Sequence, residues 1–174
     1  PQPRPRGRIR SRPGDFLVEE VSAFEPSGQG EHLALWVRKE GIDHRSMIRA
    51  VASTCGVGPG RVGWAGMKDR DAVTLQWITV QCADLDAITI DSPNIGVLQA
   101  ARHDRKIKLG QLTGNRFIIR IRELDPTAAP GIYRALSGLA AAGLPNHFME
   151  QRFGYRGANT AIGGCALRGQ WSEL

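Results

Sequence analysis

The sequence predicts an α+β fold, a mixed, largely antiparallel sheet with helices packed on it. Three observations lead there. Short runs rich in strand formers recur along the chain, the period of apolar residues turns helical at only a few places, and most joining segments are too short for the helical crossovers that parallel strands need.

The elements follow in chain order. Pro1 to Arg8 alternates Pro with Arg and reads as an extended, frayed arm. A first residue other than Met leads us to expect that the true beginning is missing. After Pro13 and Gly14, the run Phe16 to Val21 reads as a strand, and Leu33, Leu35 and Val37 alternating with Ala34, Trp36 and Arg38 read as a second. Pro26 to Gly30 supplies the turn between them. From Arg45 the stripe Met47, Ile48, Val51, Ala52, Cys55 is helical, with Asp43 as cap and Gly56 as stop. Gly58, Pro59 and Gly60 break the chain before a short strand at Val62 and Trp64, which leads into Gly66, Met67, Lys68 and Asp69.

Beyond that loop, Trp77 to Gln81, Ile95 to Ala101 and Lys106 to Leu109 read as three strands. Gly110 to Gly114 is expected to turn into a further strand through Phe117, Ile119 and Ile121. Asp125 with Pro126 opens a helix carried by Ile132, Leu136, Leu139 and Ala140 and closed by Gly143 and Pro145. Ala158 to Leu174 is expected to be helical.

A length of 174 residues with 41% hydrophobic content is enough for about one domain with a buried core. Lys and Arg number 23 against 17 Asp and Glu, a net charge of +6, which favours an anionic partner such as nucleic acid. Cys55, Cys82 and Cys165 are odd in number and widely spaced, which excludes a disulfide framework and a zinc site. The four histidines, His32, His44, His103 and His147, lack paired metal-ligand spacing. No apolar run reaches the roughly 18 residues of a membrane span and no signal peptide opens the chain, so a soluble, cytoplasmic protein without a bound metal is expected.

Chemistry concentrates in AGMKDRDAVTLQWITVQ, residues 65 to 81, where an ionisable cluster stands between two apolar strands. Lys68 and Arg70 flank Asp69, and their charges favour a carboxylate that can act as nucleophile or base. Taken alone, such a cluster is more often an ordinary solvated turn. The string GMKDRDAVTLQ, however, resembles the nucleophile motif of TruD-type pseudouridine synthases. Four further segments agree and occur in that family's order: PGDFLVEE from Pro13, GEHLALWVRKEG from Gly30, ARHDRKIKLGQLTGNRF from Ala101, and LPNHFMEQRFG from Leu144.

The resemblance implies that Asp69 is the nucleophile and that Phe16, Asn115 and Phe117 line the pocket for a uracil flipped out of the RNA stack. Each Phe offers a π-face to the base, although one ring has packing as its alternative role. Asn115 carries a donor and an acceptor for the uracil edge. Arg10 stands where the family typically has a basic residue, often Lys, and is expected to pair with Asp69. Lys68 is expected to supply local charge or touch phosphate, and the stripe His103, Arg105, Lys106, Lys108 to track an RNA backbone. His147 stands where family members often have Tyr.

The implied activity is isomerisation of uridine to pseudouridine in tRNA, at uridine 13 of the D arm, without a cofactor and by a monomer. Attack at C1′ of the sugar and at C6 of the base both remain open. Residues 1–142 would be the first segment of the catalytic domain and residues 143–174 the truncated start of the family's insertion domain. The chain would then lack later pocket residues and be inactive or weakly active by itself. Two other readings of the residues are a noncatalytic RNA-binding module on the same basic sheet, and an acid–base hydrolase, for which no second carboxylate stands at a recognisable spacing.

Overall fold

Strand formers at alternate positions build the sheet that carries the charged loop. In the computed structural model, residues 6–81, 88, 90–145, 147, 149, 153–154 and 157–173 are described. They fall into two units, Pro1–Pro126 and Thr127–Leu174. The first contains β1 (Phe16–Ser22), β2 (His32–Glu40), α1 (His44–Thr54), β3 (Val62–Trp64), β4 (Val73–Gln81), β5 (Ile95–His103) and β6 (Leu112–Ile119).

The sheet order is β5-β2-β4-β1-β6, with β3 also paired to β4. Every pairing is antiparallel except β1 with β4, which is parallel with Leu17 opposite Val73. The expected mixed, largely antiparallel α+β architecture is therefore present.

Period-two alternation decides which side chains are enclosed. Leu33, Leu35 and Val37 of β2 and Ile78 and Val80 of β4 meet Met47, Ile48, Val51 and Ala52 of α1 in one apolar cluster. Each such aliphatic side chain contributes on the order of 2 kcal/mol when fully buried. α1 begins where the sequence placed its cap, with the Asp43 carboxylate accepting from the Ser46 amide at 3.0 Å, worth ~1 kcal/mol. It ends before Gly56, whose φ of +62° suits glycine. Among the described residues no helix is long and apolar enough to cross a membrane.

Two expectations need correction. Lys106 to Leu109 is not a strand: the Ile107 amide donates to the Thr79 hydroxyl at 2.8 Å instead of joining a ladder, and the segment lies across β3. Gly63 makes that approach possible, since a Cβ there would stand 2.5 Å from the Ile107 carbonyl oxygen. The stripe His103, Arg105, Lys106, Lys108 consequently does not form one charged face. His103 is buried and stacks on Phe24, and Lys106 Nζ donates to the Gly60 carbonyl.

Some boundaries also move. β4 starts at Val73, four residues before Trp77, and β6 starts at Leu112 and ends at Ile119, so the turn ahead of it is shorter than Gly110 to Gly114. From the last residue of the first unit, Pro126–Ala128 forms a 3-10 turn ahead of α2 (Ala129–Ala142). α3 (Ala158–Leu167) occupies the first part of the expected final helix. In the LPNHFMEQRFG segment, Asn146, Phe148 and Glu150 to Arg152 lie outside the described residues.

Candidate active site

Strand β4 changes partner along one edge. Its first residues pair with β1, Val73 to Leu75 opposite Leu17 to Glu19, while Ile78 to Val80 pair with β3. Residues 65–72 join β3 to β4 and must leave the sheet at that change. Their exit is tied down by the Gly110 amide, which donates to the Ala65 carbonyl at 2.8 Å, and by the Gly41 amide on the Ala72 carbonyl at 3.3 Å. The loop thus presents Lys68 and Asp69 from a fixed frame.

Beside it, Phe16, Val18 and Glu20 of β1 share one sheet face, opposite Ile119, Phe117 and Asn115 of β6. The start of β1 is held by Asp15, a buried carboxylate receiving two bonds of 2.7 Å from the Arg122 guanidinium. Those bonds hold the Asp15 carboxyl below its usual range.

Lys68 does not behave as the solvated neighbour the sequence implied. It is buried, with Nζ 2.8 Å from Glu20 Oε2, and it donates to Asn115 Oδ1 at 2.7 Å. An ammonium can only donate, so this bond turns the Asn115 carbonyl oxygen toward Lys68 and leaves the NH2 group as that amide's offer to a ligand. Arg10, held at a φ of +56°, lays its guanidinium 4.0 Å above the centroid of the Phe16 ring and reaches to 3.7 Å from Asp69 Oδ1. Phe16 and Phe117 meet with centroids 5.9 Å apart at 55°. Phe16 is enclosed, 7% exposed, whereas Phe117 is 53% exposed.

Of the six residues singled out from the resemblance, Asp69, Arg10, Phe16 and Phe117 are joined by the contacts Arg10–Asp69, Arg10–Phe16 and Phe16–Phe117, and Lys68 and Asn115 by their own bond. Asp69 follows Lys68 in the loop, and Asn115 and Phe117 lie on one face of β6. Glu20 and Lys39 were missed. Glu20 supplies the buried counter-charge to Lys68. Lys39 Nζ donates to the backbone carbonyls of Ile42 and Asp69. Both follow apolar residues at alternate positions, Glu20 after Phe16 and Val18, Lys39 after Leu33, Leu35 and Val37, and that periodicity was the signal available to find them.

Next to them His44, buried at the start of α1 and edge-on to Trp64, has its pKa lowered to about 4 by desolvation and by the charges of Lys39 and Lys68. Among the described residues no three His, Cys, Asp or Glu side chains are grouped to hold a metal ion. A separate cleft of about 330 Å³, lined by Phe24, Ser27, His103, Arg105 and Gln111 among others, lies past the other end of β1.

This arrangement of sheet and loop is that of a pseudouridine synthase fold. The crystal structure of the TruD protein from Methanosarcina mazei superposes with a TM-score of 0.78 at 27% identity, over 96% of this chain and 40% of that one. The chain belongs to the tRNA pseudouridine synthase D (TruD) family, whose sequence model matches residues 2–174. Relatives named tRNA pseudouridine synthase D include one from Methylococcus capsulatus, 47% identical over 157 residues, or 88% of this chain and 44% of that protein. Another, from Chromohalobacter salexigens, is 41% identical over 172 residues, 96% of this chain and 49% of that protein. The chain thus spans about half the length of these curated relatives.

Proposed function

We propose that this chain supplies the first catalytic segment of an enzyme that isomerises uridine to pseudouridine in tRNA, at uridine 13 of the D arm, with Asp69 as the nucleophile. The observation that carries the reading is the placement of Asp69: its carboxylate lies beside Arg10, whose guanidinium rests on Phe16. One loop residue earlier, Lys68 fixes Asn115. A carboxylate, an aromatic floor and an oriented amide within a single patch are what the chemistry asks for.

The reaction breaks the N1–C1′ bond, turns the uracil, and joins C5 to C1′ while the C5 proton is released. It is redox-neutral. The base leaves the RNA stack and lies against the exposed Phe117 ring, which the enclosed Phe16 supports from within the sheet, and the Asn115 NH2 group donates to a uracil carbonyl oxygen. The Asp69 carboxylate adds at C1′, displacing N1, or at C6 across the C5–C6 double bond. The bond to Asp69 breaks again as the isomerised nucleoside is released, N1 takes up a proton in place of the one lost from C5, and Arg10 lies beside the carboxylate as its cation. Residues 1–142 form the first catalytic segment and residues 143–174 open the insertion domain. The enzyme acts as a cytoplasmic monomer.

The test is tritium release from C5-labelled uridine in bulk tRNA, using the complete gene product and its Asp69→Asn variant. Release by the parent and none by the variant, with tRNA affinity retained within about threefold, is expected. Equal release by both would remove Asp69 as nucleophile, and tRNA binding without release by either would leave an RNA-binding module.

A further inference from the structure

Lys39 heads the large side chains with no exposed surface, and it carries an ionisable group. Its place on β2 continues Leu33, Leu35 and Val37 on the buried face, so an apolar residue would fill the site without the cost of taking an ammonium out of water. Its hydrogen bonds go to two peptide oxygens, that of Ile42 at 2.9 Å and that of Asp69. Peptide carbonyls satisfy the donors but do not neutralise the charge. Desolvation lowers its pKa from the ordinary lysine value, and the carboxylates of Asp69, Asp43 and Asp71 act from longer range to favour its charged form.

We infer that Lys39 is a positioning residue for the reaction: its ammonium clamps the Asp69 carbonyl from the sheet side, fixing the peptide that aims the nucleophile and setting a positive charge behind it. The inference rests on Asp69 being the nucleophile. On the open side, the only ion pair of Asp69 among the described residues is with Arg10, at 3.7 Å and with side chains 41% and 38% exposed, a weak and water-screened restraint. The buried clamp is the stiffer of the two. It also joins three parts of the chain, because Ile42 stands in the turn before α1 and the adjoining Gly41 amide bonds the far end of the same loop at Ala72. An error of about 1 Å in the direction of a nucleophile can cost on the order of a hundredfold in rate, which is the scale on which such a clamp acts.

The test compares Lys39→Met, Lys39→Gln and Asp69→Asn with the parent in the complete gene product, measuring kcat and KM for tRNA together with the thermal midpoint. Lys39→Met is expected to fold with a midpoint close to the parent's, to keep KM within about threefold, and to lose about thirtyfold or more in kcat. Lys39→Gln, which keeps an NH2 donor group but no charge, should fall between the parent and Lys39→Met. A kcat within about threefold of the parent in Lys39→Met would overturn the inference. So would a loss of kcat that is matched by the loss of tRNA affinity, or failure of both variants to fold, which would make Lys39 a folding residue only. Activity surviving in Asp69→Asn would remove the nucleophile and the clamp together. An inert Asp69→Asn beside a fully active Lys39→Met would remove the clamp alone.

Discussion

Removing Lys68 from its partners should expose the energetics on which the site is built. The Lys68 and Glu20 side chains are 4% and 0% exposed, with charged atoms 2.8 Å apart. At an effective dielectric of about 20 their attraction is about 6 kcal/mol. Desolvating the two ions costs several kcal/mol each, so the intact pair roughly balances against an apolar pair of the same volume. Removing one partner is different. Lys68→Met leaves the Glu20 carboxylate enclosed without its cation and should cost about 3 to 5 kcal/mol.

The double variant Lys68→Met/Glu20→Leu should return to within about 1 kcal/mol of the parent, a coupling of at least about 2 kcal/mol. Urea unfolding of the complete gene product, followed by the fluorescence of its tryptophans, measures this. Turnover separates the roles further. The double variant should remain about a hundredfold slow despite its recovered stability, because nothing then orients the Asn115 amide. A loss below about 1 kcal/mol in Lys68→Met, or a double variant no more stable than the single one, would show that Lys68 and Glu20 are not coupled in the folded protein.

Two further outcomes follow from the same patch. His44 has a folded pKa of about 4 against an ordinary 6.5, so the unfolded chain binds the extra proton first as pH falls. Stability should therefore be full above pH 6.5 and decline by about 2 to 3 kcal/mol between pH 6.5 and 4, and His44→Gln should flatten that slope in urea titrations taken at each pH. Asn115→Asp keeps an oxygen for Lys68 but removes the NH2 donor. Turnover should fall about a hundredfold with tRNA affinity within a few-fold, and unchanged single-turnover rates would take Asn115 out of contact with the base.

The parts of the fold that could be read from the sequence are those governed by local pattern. Alternation in Phe16 to Val21 and Leu33 to Val37, the Asp43 cap and the Gly56 stop all correspond to observed elements. Lys106 to Leu109 shows where pattern is insufficient. Ile107 is buried between exposed or half-buried neighbours, as in a strand, yet its amide is satisfied by a threonine hydroxyl, and no local signal distinguishes a side-chain acceptor from a neighbouring strand. A motif singled out the residues of the candidate site, but not their contacts with one another. That Lys68 turns inward depends on Glu20, 48 positions away in sequence and on a different strand, and only tertiary closure brings them together. Glu20 and Lys39 are polar residues in apolar series, a conflict between pattern and chemistry of the kind that marks functional sites.

Parallel pairing of β1 with β4, and antiparallel pairing of β1 with β6, has a consequence for when the site can exist. Arg10 and Phe16 leave the ribosome first, Asp69 much later, and Asn115 and Phe117 last. Until β6 closes on β1, a growing chain carries its carboxylate without the oriented amide or the second ring, surrounded by ribosomal and transfer RNA. The parts of this patch therefore come together only late in synthesis, with the completed edge of the sheet.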